Sequence, residues 1–501
     1  MKKLGFLLSF VLVFVLNSKA NNLIMGTPSI SGSTITFTIQ WDNSWKVATG
    51  PSNWDAVWVF VKRQHCDQPN QNPWTHENIS SSGNTVNGTQ LQIDLPSDNK
   101  GVFIRRSSDG IGNISQATVT LTLSSAVGSD NIGVFGMEMV AVPQGQFYVG
   151  DGNNPSSTNR HNFTDGNTTN PLLINSAKQS AGLGAKTVYQ SEGFGSSVDL
   201  PSTFPLGYNN YYCMKYEITT AQYVAFLNTL TYNQQLRLQE DPNSTPPTSA
   251  VGTVMNARFG YRIEVKTSGV STTSLTPAVY GNDADDDNIF DENTDALGVP
   301  VSIRIKDFLA YLDWAALRPM TEFEFEKACR GPLTPVLDEF AWGTTDINHP
   351  DTYWNIADKG KNTEYLNNWA PLGPAMIARN WLWRVGIAAT GSSDRVHAGA
   401  TYYGILDMTG NIYERCVGGY NFDYSTFTTA NGDGSITSEA YADVVGWPIS
   451  TSNRDTYESY YMRRGASTSN YNNYQVSSRS QLNWGDGNRD IATGGRGVRS
   501  F

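Results

Sequence analysis

Four aspartates in the segment DADDDNIFDENTD (283–295) stand at the first, third, fifth and ninth positions of the run: Asp283, Asp285, Asp287 and Asp291. That spacing resembles a calcium loop of the EF-hand kind, in which alternate side chains on a tight turn aim hard oxygens at one cation, and Ile289 would add a carbonyl. Position 6 is Asn288 where glycine is usual, although asparagine also tolerates the left-handed conformation. Position 12 is Thr294, with Asp295 one step late. A solvated acidic insertion is the other reading of the same residues. Softer ligands are sparse. Cys66, Cys213, Cys329 and Cys416 form no CxxC pair, which argues against a zinc ribbon or a thioredoxin-type centre. They allow three disulfide pairings, among which the sequence does not choose, and buried or incidentally paired cysteines are the expected reading. His65, His76, His161, His349 and His397 include no HxxxH pair.

The chain that must position these groups has 501 residues, enough for about two to four domains. Only 16% of residues are charged, 12% are aromatic, and 46 Gly accompany 22 Pro. That composition is globular and loop-rich, and it excludes a coiled coil, a collagen, a disordered chain and a polytopic membrane protein. A net charge of −11 leaves no basic surplus to neutralise phosphates, so nucleic acid is excluded as a main partner. Lys2 and Lys3 precede an apolar run from Leu4 to Leu16, and Ser18 and Ala20 form a small-x-small cleavage site. The run is too short to cross a bilayer and reads as a secretory signal peptide over residues 1–20. The mature chain is therefore expected to be secreted, periplasmic or extracellular, with no transmembrane span.

Residues 21–134 read as an all-β, immunoglobulin-like sandwich. Thr34–Trp41 alternates polar and apolar residues, the period of a half-buried strand. Trp54–Lys62 is an unbroken apolar run, as a sandwich-core strand requires. Leu91–Leu95, Val102–Arg105 and Thr118–Leu123 continue the pattern between turn signals at 82–84 and 109–110. From Phe135 the texture changes. Met137–Gly150 is expected to form a strand pair opening a second domain over 135–501, and 151–200 to form long surface loops. Thr219–Leu230 and Thr321–Cys329 have helical spacing, with Thr219 or Thr220 and Thr321 as N-caps and Glu324 at the capping-box position. Arg318 and Glu322 flank that second start and are expected to pair or to cap nearby loops. Trp342 and Trp354 are expected core anchors.

Seven segments, in order, resemble the formylglycine-generating enzyme family, also called the sulfatase-modifying factor domain. They are MVAVPQGQFYVG (139–150), CMKYEITTAQYVAFLN (213–228), RPMTEFEFEKACRG (318–331), FAWG (340–343) with WNIAD (354–358), GILDMTGNIYERC (404–416), RRGAS (463–467) with Arg479, and GGRGVR (494–499). The resemblance covers about residues 135–501. It implies a multi-domain chain: an all-β Ig-like sandwich followed by an irregular α+β domain related to C-type lectins.

The resemblance also says what chemistry to look for. The family's oxidases convert a substrate cysteine to formylglycine with oxygen and a copper(I) ion held by two cysteines. Counting from Ser467, those positions are Asn470 and Gln475, while Arg479 keeps its expected place. Carboxamides cannot replace thiolates on a soft ion. The implied catalytic set is therefore none, and copper is not expected as a cofactor. A related branch uses iron on three histidines, which the five scattered histidines do not suit. Calcium is the expected structural ion. The resemblance places one ion on the Asp407 side chain, the carbonyls of Gly410 and Ile412, and the Glu414 carboxylate. A second begins at Asn355 and Ile356, with its later acidic ligand unplaced.

The expected function is a non-catalytic, secreted or cell-surface binding or structural module, a pseudoenzyme on a bacterial surface, with a protein or glycan partner. Loop-rich scaffolds present such surfaces readily. Two alternatives stand beside it. One is an active oxidase with relocated catalytic residues. The other is carbohydrate binding through Tyr471, Tyr474 and Trp484, for which packing of the domain end is the competing account.

Overall fold

The computed structural model describes residues 22–66, 73–88, 90–152, 162–165, 170–182, 197–238, 246–253, 262–272, 275–283, 289–290, 298–346, 356–358, 364–366, 382–390, 393–419, 422–448, 460–466, 474–479, 481–482 and 493–500. The segment read as a signal peptide lies outside them. No helix among the described residues is long and apolar enough to cross a membrane.

The front of the chain is a sandwich. One sheet runs in the order Ile24–Met25, Thr34–Lys46, Gly110–Thr122, Thr85–Val86, with Ser29–Ser31 folded back on Thr34–Lys46. Ile35, Phe37, Ile39 and Trp41 alternate into the core, as the two-residue period demands. Two register shifts, at Ile39/Trp41 and Trp41/Ser44, mark β-bulges where this strand continues past its apolar stretch.

The facing strand, Asp55–Gln64, is buried on both sides. Val57, Val59 and Val61 enter the sandwich core, while Ala56, Trp58 and Phe60 enter the larger core of the C-terminal region. A strand with no wet face needs no polar alternation, which is why DAVWVFVK is nearly continuous in apolar residues. The sequence expectation of a sandwich-core strand accounts for one of these faces only.

Asn131–Val142 pairs with Asp55–Gln64 from Asn131 to Val140, and Met139–Val142 also pair with Tyr211–Met214. The second sheet therefore runs on as one ladder in the order Gln481–Leu482, Tyr461–Arg464, Tyr413–Val417, Arg318–Thr321, Gly497–Ser500, Tyr211–Met214, Asn131–Val142, Asp55–Gln64, Val102–Arg106, Leu91–Asp94. The strand pair expected over Met137–Gly150 is corrected here. Its first strand begins at Asn131, and Phe147–Val149 pairs instead with Leu172–Ile174. Gly145 at φ 155° turns the chain between them, so the two strands separate rather than form a hairpin.

Helices pack against this sheet. Thr220–Leu227 and Glu322–Arg330 start where the sequence places them, each under a capping box: Thr219 with Gln222, and Thr321 with Glu324. Ile305–Trp314, Tyr232–Leu238 and Arg395–Ala398 add to the two helices that the sequence signals. Ile305–Trp314 is buried nearly all round, and its Ile305, Phe308, Leu309 and Leu312 do stand at helical spacing, a signal that the sequence expectations do not include. The Thr321 hydroxyl also donates to Pro205 O at 2.8 Å. Thr321→Ala removes a cap and that bond, and is expected to cost about 1–2 kcal/mol in a denaturant titration.

Candidate functional site

The helix Glu322–Arg330 reads EFEFEKACR, and every residue in it is buried. Its carboxylates survive burial because arginines meet them, Arg464 and Arg479 from far along the chain and Arg318 and Arg330 from close by. Glu322 Oε1 accepts from Arg464 Nη1 at 2.8 Å and from Arg479 Nε at 2.9 Å, and its Oε2 accepts from Arg479 Nη2 at 2.8 Å. Glu326 Oε1 accepts from Arg464 Nη2 at 2.7 Å, and its Oε2 accepts from Arg330 Nη1 at 3.2 Å and Gly150 N at 2.7 Å. Arg330 Nε closes the set on Glu339. Three carboxylates face three guanidinium groups, so the network is neutral overall. Burial alone would raise the Glu322 carboxyl, but Arg479 and then Arg464 outweigh it and hold the group below its usual range.

The expected Arg318–Glu322 pair is not formed. Arg318 grips Glu324 through Nη1–Oε2 at 2.8 Å and Nη2–Oε1 at 2.6 Å. The helical period explains this, since Glu322 and Glu326 share a face and Glu324 stands about 200° away from each. Arg464 of the RRGAS segment and Arg479 are thus bound into the core.

Beside this network lies the end of the domain where the copper ligands would sit. Asn470 is outside the described residues. Gln475 is half-buried, and its Oε1 is shielded from water without a hydrogen-bond partner. The neighbouring Val476 donates its N–H to Glu339 O at 2.9 Å and accepts from Arg464 Nη2 at 2.6 Å, which fixes the Gln475 backbone on the network. The sulfurs are elsewhere. Cys213, Cys329 and Cys416 are buried in one apolar cluster with Val140, Met320, Phe325 and Val498, and all four cysteines are free thiols. Burial pushes the Cys329 and Cys416 thiols well up, the reverse of what a thiolate ligand needs. These donors do not suit copper(I).

The second group of expected ligands gathers on the turn 407–414. Asp407 has φ 60° and Asn411 φ 57°, and the turn holds both in the left-handed region. Asp407 is buried, with Oδ2 accepting from Gly386 N at 2.5 Å. Burial pushes its carboxyl up to about 6 against the Gly386 N–H and Arg496. Glu414 is engaged differently from the expectation. Arg496 holds both its oxygens, Nε–Oε2 at 2.8 Å and Nη2–Oε1 at 2.7 Å. Arg496 spends its remaining donors on carbonyls, Met214 O and Lys215 O at 3.1 Å and Leu406 O at 2.9 Å.

A carboxylate that the sequence does not single out faces this turn. Glu217 is fully buried, and neither of its oxygens has a hydrogen-bond partner. Burial raises its carboxyl most, and Asp407 is the charge that acts on it most strongly. Glu217 belongs to the CMKYEITTAQ segment, about 190 positions before Asp407, so no local spacing links them.

The other expected ligands are dispersed. Asn355 lies outside the described residues, and Ile356 opens a short strand, Ile356–Ala357, paired with Tyr365–Leu366. Glu364, buried at the start of that partner strand, accepts from Arg384 N at 3.2 Å. Asp283 is buried at the end of Val279–Asn282, while Asp285, Asp287 and Asp291 are outside the described residues. Trp342 is a core anchor as expected, and Trp354 is outside the described residues. Tyr474 packs with Phe340, Trp342, Tyr413 and Ala466, which places it in the core; Tyr471 and Trp484 are outside the described residues.

Among the described residues, three carboxylates converge within 4.8 Å only at Asp313, Asp433 and Asp443. Asp313 ends the Ile305–Trp314 helix and accepts from Asp433 N at 3.0 Å and Asp443 N at 3.1 Å. Lys62, from the front sandwich, donates to Gly434 O at 2.5 Å. This cluster clasps the 431–443 loop to the helix end and to the sandwich.

A model of the sulfatase-modifying factor enzyme 1-like domain matches residues 133–500, most of the chain, and the protein belongs to that family. No curated protein matches the chain. Among solved structures, one described as pH-induced modulation of Streptococcus parasanguinis adhesion by Fap1 fimbriae is similar at 11% identity, over 29% of this chain and 70% of that chain, with a TM-score of 0.12. A likeness that slight carries no argument.

Proposed function

We propose that this chain is a non-catalytic binding or structural module of the sulfatase-modifying factor family, exported to the cell surface or beyond, with a protein or glycan as its partner. The observation that carries the reading is the separation of amide and sulfur. Gln475 stands at one copper-ligand position, whereas Cys213, Cys329 and Cys416 are packed in an apolar core where burial pushes their thiols up. An oxidase with relocated ligands would need two thiolates open to substrate, and neither Cys329 nor Cys416 is open to solvent. The motif residues nearest that end, Arg464, Arg479 and Glu322, are taken up with one another, which suits a scaffold whose loops do the recognising.

The test is direct. Purified protein is titrated with copper(I) under a competing chelator and then incubated with oxygen and a cysteine-containing sulfatase peptide. The expected result is no stoichiometric copper(I) binding and no mass change on the peptide cysteine. Oxygen-dependent formylglycine formation would overturn the reading. A pull-down from intact cells then identifies the partner class.

A further inference from the structure

A cleft of about 490 Å³ lies between the first strand of the front sandwich and the C-terminal domain. That volume falls in the usual range for small-molecule sites, ~300–1,000 Å³. Its apolar wall includes Met25 on the sandwich side, Met137 and Met214 on the long ladder, and the ring of Tyr216. Unbranched methionines shape themselves readily to an apolar guest.

Two charged side chains also line the cleft, and each reaches it with one end unspent. Glu138 is 6% exposed and Arg384 is 4% exposed. Lys215 Nζ donates to Glu138 Oε2 at 2.8 Å, whereas Glu138 Oε1 has no hydrogen-bond partner among the described residues. Arg384 donates from Nε to Glu364 O at 2.8 Å and from its backbone N–H to Glu364 Oε1 at 3.2 Å. Its Nη1 has no partner among the described residues. Burial pushes the Tyr216 hydroxyl up most; Lys215, Glu138 and Arg384 then act on it, so the free carboxylate oxygen and the free guanidinium nitrogen belong to groups that surround one ring. Thr219 and Gln222 at the rim are spent on each other in the capping box and offer no competing charge.

Buried charged groups left short of a partner are costly, and the two here are of opposite sign. A guest that brings an ammonium to one and a carboxylate to the other satisfies both and adds no net charge to the cleft. We propose that this cleft binds a small zwitterion with an apolar body, a free apolar amino acid or a dipeptide, its ammonium on Glu138 Oε1 and its carboxylate on Arg384 Nη1. The proposal is independent of the non-catalytic reading, since neither thiols nor copper(I) take part in it.

The experiment is isothermal titration of the full mature chain with leucine, phenylalanine and their homodipeptides. At least one of these should bind one to one, and comparing the amino acids with the dipeptides shows which source fits. The amide of the bound compound, which lacks the carboxylate, and its N-acetyl derivative, which lacks the ammonium, should each bind at least about tenfold more weakly. Glu138→Gln and Arg384→Gln should each weaken the zwitterion by at least about tenfold. If those variants do not fold, Ala221→Phe decides, because it fills the cleft from the helix Thr220–Leu227 and removes neither charge. Lost binding at a near-wild-type melting temperature supports the assignment, and unchanged affinity overturns it. The assignment is also overturned if the wild-type chain binds none of the four compounds, which would leave the cleft to water. Equal affinity for the zwitterion and for either singly charged derivative overturns it too, as does a folded Glu138→Gln or Arg384→Gln chain that binds like wild type.

Discussion

Glu322→Gln should lower the unfolding free energy by about 3–5 kcal/mol, the usual cost of breaking a buried ion pair from one side. The exchange keeps the shape of the side chain and removes its charge. Arg479 then loses the carboxylate that takes two of its nitrogens, at 2.9 and 2.8 Å, while remaining fully enclosed. Arg464 keeps Glu326 at 2.7 Å, so the loss falls mainly on Arg479. The carboxyl of Glu322 is held below its unfolded value, so its contribution is complete above the unfolded pKa, about 4.3. It fades as pH falls through the lower, folded value. Wild-type stability should therefore drop on the acid side of pH 4, and Glu322→Gln should be flatter there. Urea titrations across pH 3–7 check both statements. A variant within about 0.5 kcal/mol of wild type at neutral pH would show that the network is not a pillar of the domain.

Trp58→Ala should cost about 3–5 kcal/mol, as large-to-small changes at fully enclosed aromatic positions do. The indole touches elements far apart in sequence. It packs on Phe103 at 4.8 Å between ring centroids, lies 4.2 Å from the Arg499 guanidinium, and donates Nε1–H to Ala315 O at 3.0 Å. Gly101 admits the ring, because a Cβ there would stand 2.7 Å from it. Removing the indole opens a cavity between the front sandwich and the C-terminal core. It also leaves the Ala315 carbonyl without that donor. The loss should appear as one lowered melting transition for the whole chain. If instead a sandwich transition moved alone, the two halves would not share the core that the packing describes.

Local signals carried well from sequence to structure. The two capped helices, the alternation in Thr34–Trp41 and the family motifs all depend on neighbours a few residues apart, and each is found where it was expected. What the sequence concealed depends on distance. Arg464 and Arg479 meet Glu322 across 142 and 157 positions, and the Asp313 clasp spans 120. Glu217 has no spacing relation to Asp407. Of the two roles expected for Arg318 and Glu322, the mutual pair does not form because proximity in sequence is not proximity on a helix, where the register chose Glu324. The sequence sets Asp407 and Glu414 on one short segment, but nothing in GILDMTGNIYER says that Arg496 holds the Glu414 carboxylate.

The strand Asn131–Val142 has a mechanical consequence. It lies under both halves of the molecule, and its amino-terminal stretch is bonded rung by rung to Asp55–Gln64. The pairing is antiparallel and continuous from Asn131 opposite Gln64 to Val140 opposite Asp55, so neither half can lose its edge without baring the amides of the other. A cut at 134/135 would split a single rod, not free two beads. Front and back are therefore joined through one shared strand, and local opening in either half is expected to be felt in the other.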